Sequence, residues 1–577
     1  MEINKQDKKM KNFKLLIIAL LIVLTSNSRF LYSQWSTDPT VNNPICIAGS
    51  EQNHINITSD GDGGAIIVWE DNRGTSTDIF AQRIDREGNT KWSENGITVC
   101  NALFSQLEPD LVSDGDGGAI IVWKDFKYDY DIYAQRVDTD GNILWQNNGV
   151  AICSETGYQE DFKVASDGYG GAIIVWEDAR VVGDFNIYAQ RISSDGSLIW
   201  AVNGIAVCSV TGHQLKPDIS INENGGAIIA WEDNRNVFTD IYAQSVNANG
   251  EFSWTVNGIA ICTATDGQDS PKLTSDGSGG AVIVWRDHRR GFYDIYTQSV
   301  NSLGIIQWQA NGLLLLLASS YPPARLSIVG DSNGGAIVCW DEDRTELNYD
   351  IFAQRVNHSG AMLWQNGGIY VCGAEMGQVY PKMIADDNGG AIITWYDYRN
   401  QLDTDIYAQR VSSNGEFYWI VDGIGVSVAN IEQINPVIVD DGNSGAIIAW
   451  VDYRNLQSDI YSQQINHDGT IGNPTDVNEN IINFNYKLSQ NFPNPFNPST
   501  TISFSIPNEE FVSLKVFNSL GEEVAELLNE TKPTGNYSVS FDASSHSGNV
   551  RNLTSGVYFY KIKAGSFVEI KKMILMK

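Results

Sequence analysis

The side chains best placed to do chemistry are carboxylates and guanidiniums at fixed spacing. Asp71, Arg73 and Asp78 form one set. It returns as Asp233, Arg235 and Asp240, then Asp287, Arg289 and Asp294, then Asp397, Arg399 and Asp405, and finally Asp452, Arg454 and Asp459. Asp178 and Arg180 begin a further copy, and Asn186, Lys127 and Glu342 are the departures. Such a set can brace a loop, because a carboxylate holds both a guanidinium and the free N–H groups of a turn. It can also form a ring of Arg73, Arg180, Arg235, Arg289, Arg344, Arg399 and Arg454 around a channel mouth, gripping an acidic or polyhydroxylated ligand. Recurrence in nearly every copy favours the brace.

Two further groups invite a ligand. Asp60 and Asp62, and again Asp114 and Asp116, crowd oxygen atoms into glycine-rich turns, as a calcium site requires. Later copies put Tyr169, Ser278, Asn333 and Asn388 in the second position, and no fixed bidentate carboxylate follows. A glycine-assisted hairpin turn accounts for the pattern, so no cofactor or metal is assigned, with calcium at these four aspartates as the alternative. The loops after the Asp-x-Arg phrase vary and carry Tyr128, Tyr130, Phe185, Phe238, Phe292, Tyr293 and Tyr349. Aromatic rings beside Asp, Asn and Arg suit stacking on sugars or peptides, and local loop packing is the plain alternative. Six histidines are scattered without a His-Glu-x-x-His pattern, and the nucleophile-elbow match at 330–334 is followed by no helix. No residue is assigned a catalytic role.

These groups are positioned by a repeat. Trp69 ends the phrase Gly-Gly-Ala-Ile-Ile-Val-Trp and recurs at Trp123, Trp176, Trp231, Trp285, Trp340, Trp395 and Trp450, at steps of 53 to 55 residues. A second series, Trp35, Trp92, Trp145, Trp200, Trp254, Trp308, Trp364 and Trp419, accounts for the rest of the 16 tryptophans. In the second repeat the pattern predicts strands at 108–113, 118–123, 131–137 and 143–153. The run Ala119 to Trp123 is apolar without alternation, the mark of a strand buried on both faces. Four short antiparallel strands per repeat, eight times over, predict an all-β, eight-bladed β-propeller; a linear solenoid is the alternative. The segment from Trp35 to Cys46 matches the last strand of a repeat, which the final repeat lacks. It is expected to close the last blade.

Composition narrows the setting. A formal net charge of −32 disfavours nucleic acid and anionic lipid as partners. Basic residues from Lys5 to Lys14 precede a ten-residue apolar run, 15–24, which reads as a secretory signal at residues 1–33, cleaved after Ser33 or Ser28. That run is too short to span a bilayer, which needs about 20 residues, so no transmembrane span is expected in the mature chain. Six of the seven cysteines share one repeat position, a whole repeat apart and too distant to bridge. They read as small buried hydrophobes.

The order of parts resembles the Asp-box, sialidase-like propellers over residues 35–469. Ser193 to Trp200 is the nearest copy of that family's hairpin, with the glycine displaced by one. The resemblance implies fold, and the family's catalytic residues find no counterpart here. After a linker, 471–486, the chain opens Asn-Phe-Pro493-Asn494-Pro495-Phe496-Asn497-Pro498. It continues through Gly556, Tyr558 and Tyr560 and ends with Lys571, Lys572 and Lys577. The alternating pattern alone predicts an Ig-like β-sandwich at 487–577. The motifs closely resemble the type A C-terminal sorting domain of the type IX secretion system. That resemblance implies export from a Gram-negative cell, the secretion machinery and its sortase as partners, and a place outside the cell or on its outer surface. The expectation for residues 34–470 is a glycan- or protein-binding module. A polysaccharide-active hydrolase or lyase, and a passive surface-layer protein, are the alternatives.

Overall fold

The computed structural model describes all residues except 1–34, 223–224, 319–322, 324, 345–347, 387, 473–485, 492, 508–509, 534, 544–552 and 566. The expected signal peptide with its cleavage sites, and nearly all of the linker, lie outside the described residues. Among the described residues every regular element is a β-strand.

The chain begins with β1 (Asn43–Cys46), followed by β2 (Gln52–Ser59), β3 (Ala65–Asp71), β4 (Asp78–Ile84) and β5 (Ile97–Cys100). Strands β2 to β5 form one antiparallel sheet in sequence order. Seven further four-stranded sheets follow as far as Ile465, and in the last of them β1 supplies the fourth strand by pairing with Asp459–Ile465. The first strand of each sheet packs on the first strand of the next, and Gln433–Asp440 packs back on β2. The sheets therefore close on themselves, and no first strand lacks a neighbour.

The apolar run of each second strand, from the alanine to the tryptophan, is buried, as its lack of alternation requires. Trp69 and its seven counterparts are sealed inside. The second tryptophan series works between sheets. Trp92 Nε1 donates to Thr139 O at 3.1 Å, in the hairpin of the following repeat, and the later members do likewise. Trp35 completes the circle, reaching from β1's segment to Arg86 O at 2.9 Å.

One sequence expectation is corrected. The fourth strand of the second repeat was predicted over 143–153 and occupies only Val150–Cys153. Asn148 (φ 62°) and Gly149 (φ 88°) turn the chain instead. A Cβ on Gly149 would lie 2.6 Å from the Trp123 ring, so the turn is pressed onto the buried indole and only glycine fits.

The C-terminal region has its own core. Strands Lys487–Leu488, Ser499–Ile506 and Gly535–Asp542 make one sheet; Glu523–Lys532, Glu510–Asn518, Gly556–Ala564 and Phe567–Leu575 make another. Leu488, Phe496, Ile502, Phe504, Leu514, Tyr560 and Met573 are buried together between them.

Candidate functional site

The repeated arginines are committed to the scaffold. Arg73 Nη2 lies 2.6 Å from Asp71 Oδ2, and Nε lies 2.8 Å from Oδ1. Asp71 also accepts from Trp69 Nε1 at 2.8 Å. The same guanidinium reaches Asn95 O at 2.9 Å and Cys46 Sγ at 3.1 Å, ties its own sheet to the fourth strand of the preceding one, and lies 4.1 Å over Phe80. Arg180, Arg235, Arg289 and Arg399 repeat this, each on the equivalent cysteine. Arg454 uses Ser427 and Asn42 instead, and Arg344 pairs with Glu342 at 2.7 Å. The sequence left open a ring of arginines around a channel mouth. The structure holds Arg73 against the preceding sheet's fourth strand and the turn before its own, where it supplies the partnered countercharge that the buried Asp71 needs. The cysteines are buried as expected, and burial raises their thiols, Cys46 to about 11 and Cys262 to about 12.

The glycine-rich turns are equally internal. Asp60 Oδ1 accepts from Asp62 N and Gly64 N, while Oδ2 faces Arg83 at 2.8 Å. Asp114 pairs with Arg136 in the same way. Asp62 and Asp116 are exposed and point to Arg86 and Arg136. Among the described residues no three His, Cys, Asp or Glu side chains converge as metal ligands.

The loop aromatics divide. Tyr128 is 92% exposed, and Phe238 and Phe292 are 48% and 47% exposed. Tyr130 is half-buried against Phe126 and Tyr158, Phe185 sits against His213, and Tyr293 stacks on His288. Tyr349 is partly buried, its carbonyl accepting from Gln378 N at 2.7 Å. Phe238 borders a groove of about 590 Å³ with Arg235, Val237, Asp240, Thr263 and Thr265. Burial raises the Asp240 carboxyl above its ordinary value.

Sequence reasoning missed a circle of residues used once each, on the same edge of the sheets as these loops. Seven of the eight first strands bulge there, at His54, Glu108, Asp161, Lys216, Ser270, Tyr380 and Asn435, all at positive φ. The freed N–H is caught by the residue after a neighbouring tryptophan: Glu70 takes Glu108 N at 2.6 Å, Glu177 takes Lys216 N at 2.5 Å and Glu232 takes Ser270 N at 2.7 Å. Within a repeat the same two positions usually complement each other. Lys124 pairs with Glu108, Lys216 with Glu232, and Arg325 with Asp341, while Tyr380 stacks on Tyr396. The third repeat breaks this rule, matching Glu177 with Asp161. Burial, and then the charges of Asp161, Glu160 and Glu232, push the Glu177 carboxyl up to about 7. The signal was present as the variable residue in Trp-x-Asp; its first-strand partner is set by the register within the sheet, and the N–H it accepts by the packing of the next sheet.

Two residues deeper, each first strand turns inward another side chain that varies from sheet to sheet. Opposite the residue before each tryptophan stand Asn56, Asp110, Lys163 and Asp218, then Lys272, Ser327, Lys382 and Val437.

The sorting motif closes on the end of the chain. Phe496 is buried, its N–H donating to Ile574 O and its carbonyl accepting from Met576 N, both at 2.9 Å. Asn494 Oδ1 accepts from Ile574 N at 2.8 Å, and Pro493 O accepts from Thr500 Oγ1 at 2.9 Å. Pro495 and Pro498 each follow a cis peptide bond, the latter from Asn497. Tyr560 is fully buried, Oη donating to Ser489 O at 2.7 Å, and Tyr558 Oη donates to Thr554 O at 2.9 Å. Lys577 N donates to Ser555 Oγ beside Gly556, Lys571 faces Glu569, and Lys572 is exposed, its carbonyl accepting from Gln490.

No curated protein sequence matches the chain. Among solved structures it is similar to a polysaccharide lyase of the PL25 ulvan lyase group, at 10% identity and TM-score 0.41, over 77% of this chain and 97% of that one. Polysaccharide lyase Uly1 is similar at 10% identity and TM-score 0.42, over 72% of this chain and 100% of that one. An alpha-L-arabinanase from Penicillium chrysogenum is similar at 13% identity and TM-score 0.30, over 52% and 92% respectively. The C-terminal match is of a different kind, covering the motif and the strand it clasps. Residues 490–576 are a secretion system C-terminal sorting domain, which implies that the protein is secreted, to the cell surface or beyond.

Proposed function

We propose that residues 34–470 are an eight-bladed β-propeller that works as a binding module outside the cell. A signal peptide at 1–33 starts its export, and the Ig-like sorting domain at 487–577 presents it to the type IX machinery and its sortase. The ligand is an extracellular glycan, held at the edge of the sheets that carries the variable loops. The groove beside Phe238 carries this reading. It joins a half-exposed aromatic ring to Arg235, Asp240, Thr263 and Thr265, and its volume of about 590 Å³ suits a sugar or two.

The mature protein is screened on a glycan array beside a Phe238→Ala variant. A hit that weakens about tenfold or more in the variant supports the reading. A blank array sinks it and moves the weight to a protein partner or a passive surface role. Equal binding by both proteins moves the site elsewhere on the face.

One observation favours a second reading, a polysaccharide-active enzyme. Glu177, at about 7 and beside Asp161, has the proton affinity of a general acid or base at neutral pH. Under that reading Glu177→Gln abolishes turnover of an anionic or neutral polysaccharide while leaving its binding intact.

A further inference from the structure

The inward-facing circle of first-strand residues holds three lysines, Lys163, Lys272 and Lys382. They stand at the same level on the first strands of the third, fifth and seventh sheets, so they face one space enclosed by those strands. Asp110 lies on a different sheet from either Lys163 or Lys382, yet feels both, and Lys382 feels Lys163 and Lys272. Two carboxylates share the circle and are already engaged. Asp110 accepts from Asn56 Nδ2 at 2.5 Å and from Leu111 N at 2.9 Å. Asp218 accepts from Leu273 N at 3.0 Å and lies 3.8 Å from Lys272 Nζ.

Lys382 stands between Ser327 and Val437, with no carboxylate at the equivalent position of either neighbouring strand. Among the described residues neither the Lys382 nor the Lys163 ammonium has an ion-pair or hydrogen-bond partner. Solvent reaches Lys382, so there is room beside it, yet protein walls surround it and burial lowers its ammonium below the ordinary value. An ammonium so placed lacks both full hydration and a counterion, and a bound anion supplies the missing interaction. The chain as a whole is strongly acidic, so this local excess of positive charge is not a continuation of the surface.

We propose that the space enclosed by the first strands binds a small oxyanion, a sulfate or a compact dicarboxylate, between Lys163, Lys272 and Lys382. The site is separate from the loop groove and does not depend on it. The anion ties three non-adjacent sheets together and so stabilises the closed array.

The test uses the full-length protein and two probes, inorganic sulfate and malonate, with chloride keeping ionic strength constant. Equilibrium dialysis against labelled sulfate and labelled malonate is expected to find one anion per chain with at least one probe; none with either overturns the proposal. Thermal unfolding is expected to rise saturably with the bound probe in the wild type. Lys382→Met and Lys163→Met should each weaken the apparent affinity about tenfold or more. Each variant should also unfold at a higher temperature than wild type in anion-poor buffer, since it removes an uncompensated charge. A rise that is linear, shared with chloride, or unchanged in both variants overturns the proposal. Binding of sulfate alone or malonate alone decides between an inorganic and an organic occupant.

Discussion

Replacing Glu177 by glutamine tests the reading of the circle of once-used residues most directly. The side chain is 5% exposed and accepts the Lys216 N–H at 2.5 Å, a bond that an amide oxygen can keep. Its charged neighbours Asp161, Glu160 and Glu232 all carry negative charge, and the Lys216 ammonium is paired to Glu232 at 3.0 Å. Burial first, and these charges second, raise the carboxyl from 4.5 to about 7. The folded state therefore binds this proton more tightly than the unfolded state. Below pH 4.5 the group is protonated in both states and costs nothing. Between 4.5 and about 7 stability falls as pH rises, and above that window the full cost is present. At about 1.4 kcal/mol for each tenfold change in proton affinity, that cost is up to about 3 kcal/mol. Glu177→Gln should thus be more stable than wild type by up to about 3 kcal/mol at pH 8 and equal to it at pH 4. Urea unfolding followed by tryptophan fluorescence from pH 4 to 9 measures the difference. Parallel pH profiles, or a variant less stable at pH 8, would refute the account of Glu177 as an uncompensated buried acid.

Three other outcomes are expected. In the second repeat Lys127 reaches Asp125 only at 3.5 Å, and Trp123 Nε1 is left without a partner; Lys127→Arg should restore the brace and raise stability by about 1 kcal/mol in thermal melts. Removing the arginine elsewhere should do the reverse: Arg235→Ala strands the fully buried Asp233 and should cost about 3 kcal/mol, with the double variant Asp233→Ala, Arg235→Ala less destabilised than the sum of the single changes. In the sorting domain Phe496→Ala should cost about 3 kcal/mol by opening a cavity under the Asn494–Ile574 clasp. It should also leave the protein inside the cell, as a fractionation assay would reveal.

Much of the scaffold was legible along the chain because it repeats. The first tryptophan series and the unbroken apolar runs marked buried second strands, and the orphan segment at Trp35 to Cys46 indicated what completes the final sheet. The fourth strand was misjudged because it was carried across Asn148-Gly149, a turn-forming pair that bends the chain beneath Trp123. The Asp-x-Arg phrase was readable as a brace, whereas its cysteine partner was not, since Cys46 and Arg73 belong to different sheets.

What the sequence determined by itself is therefore everything carried by local period and motif: the strands, their number per repeat, and the sorting signal at the chain's end. What only the tertiary structure decided is which once-used side chains meet. Glu177 catching the Lys216 N–H of the next sheet, and Lys382 facing Lys163 and Lys272, join residues 39 to 219 apart, and nothing local couples them. Closure of the array brings them together, because electrostatic interaction depends on distance through space and on the protein that displaces water between charges.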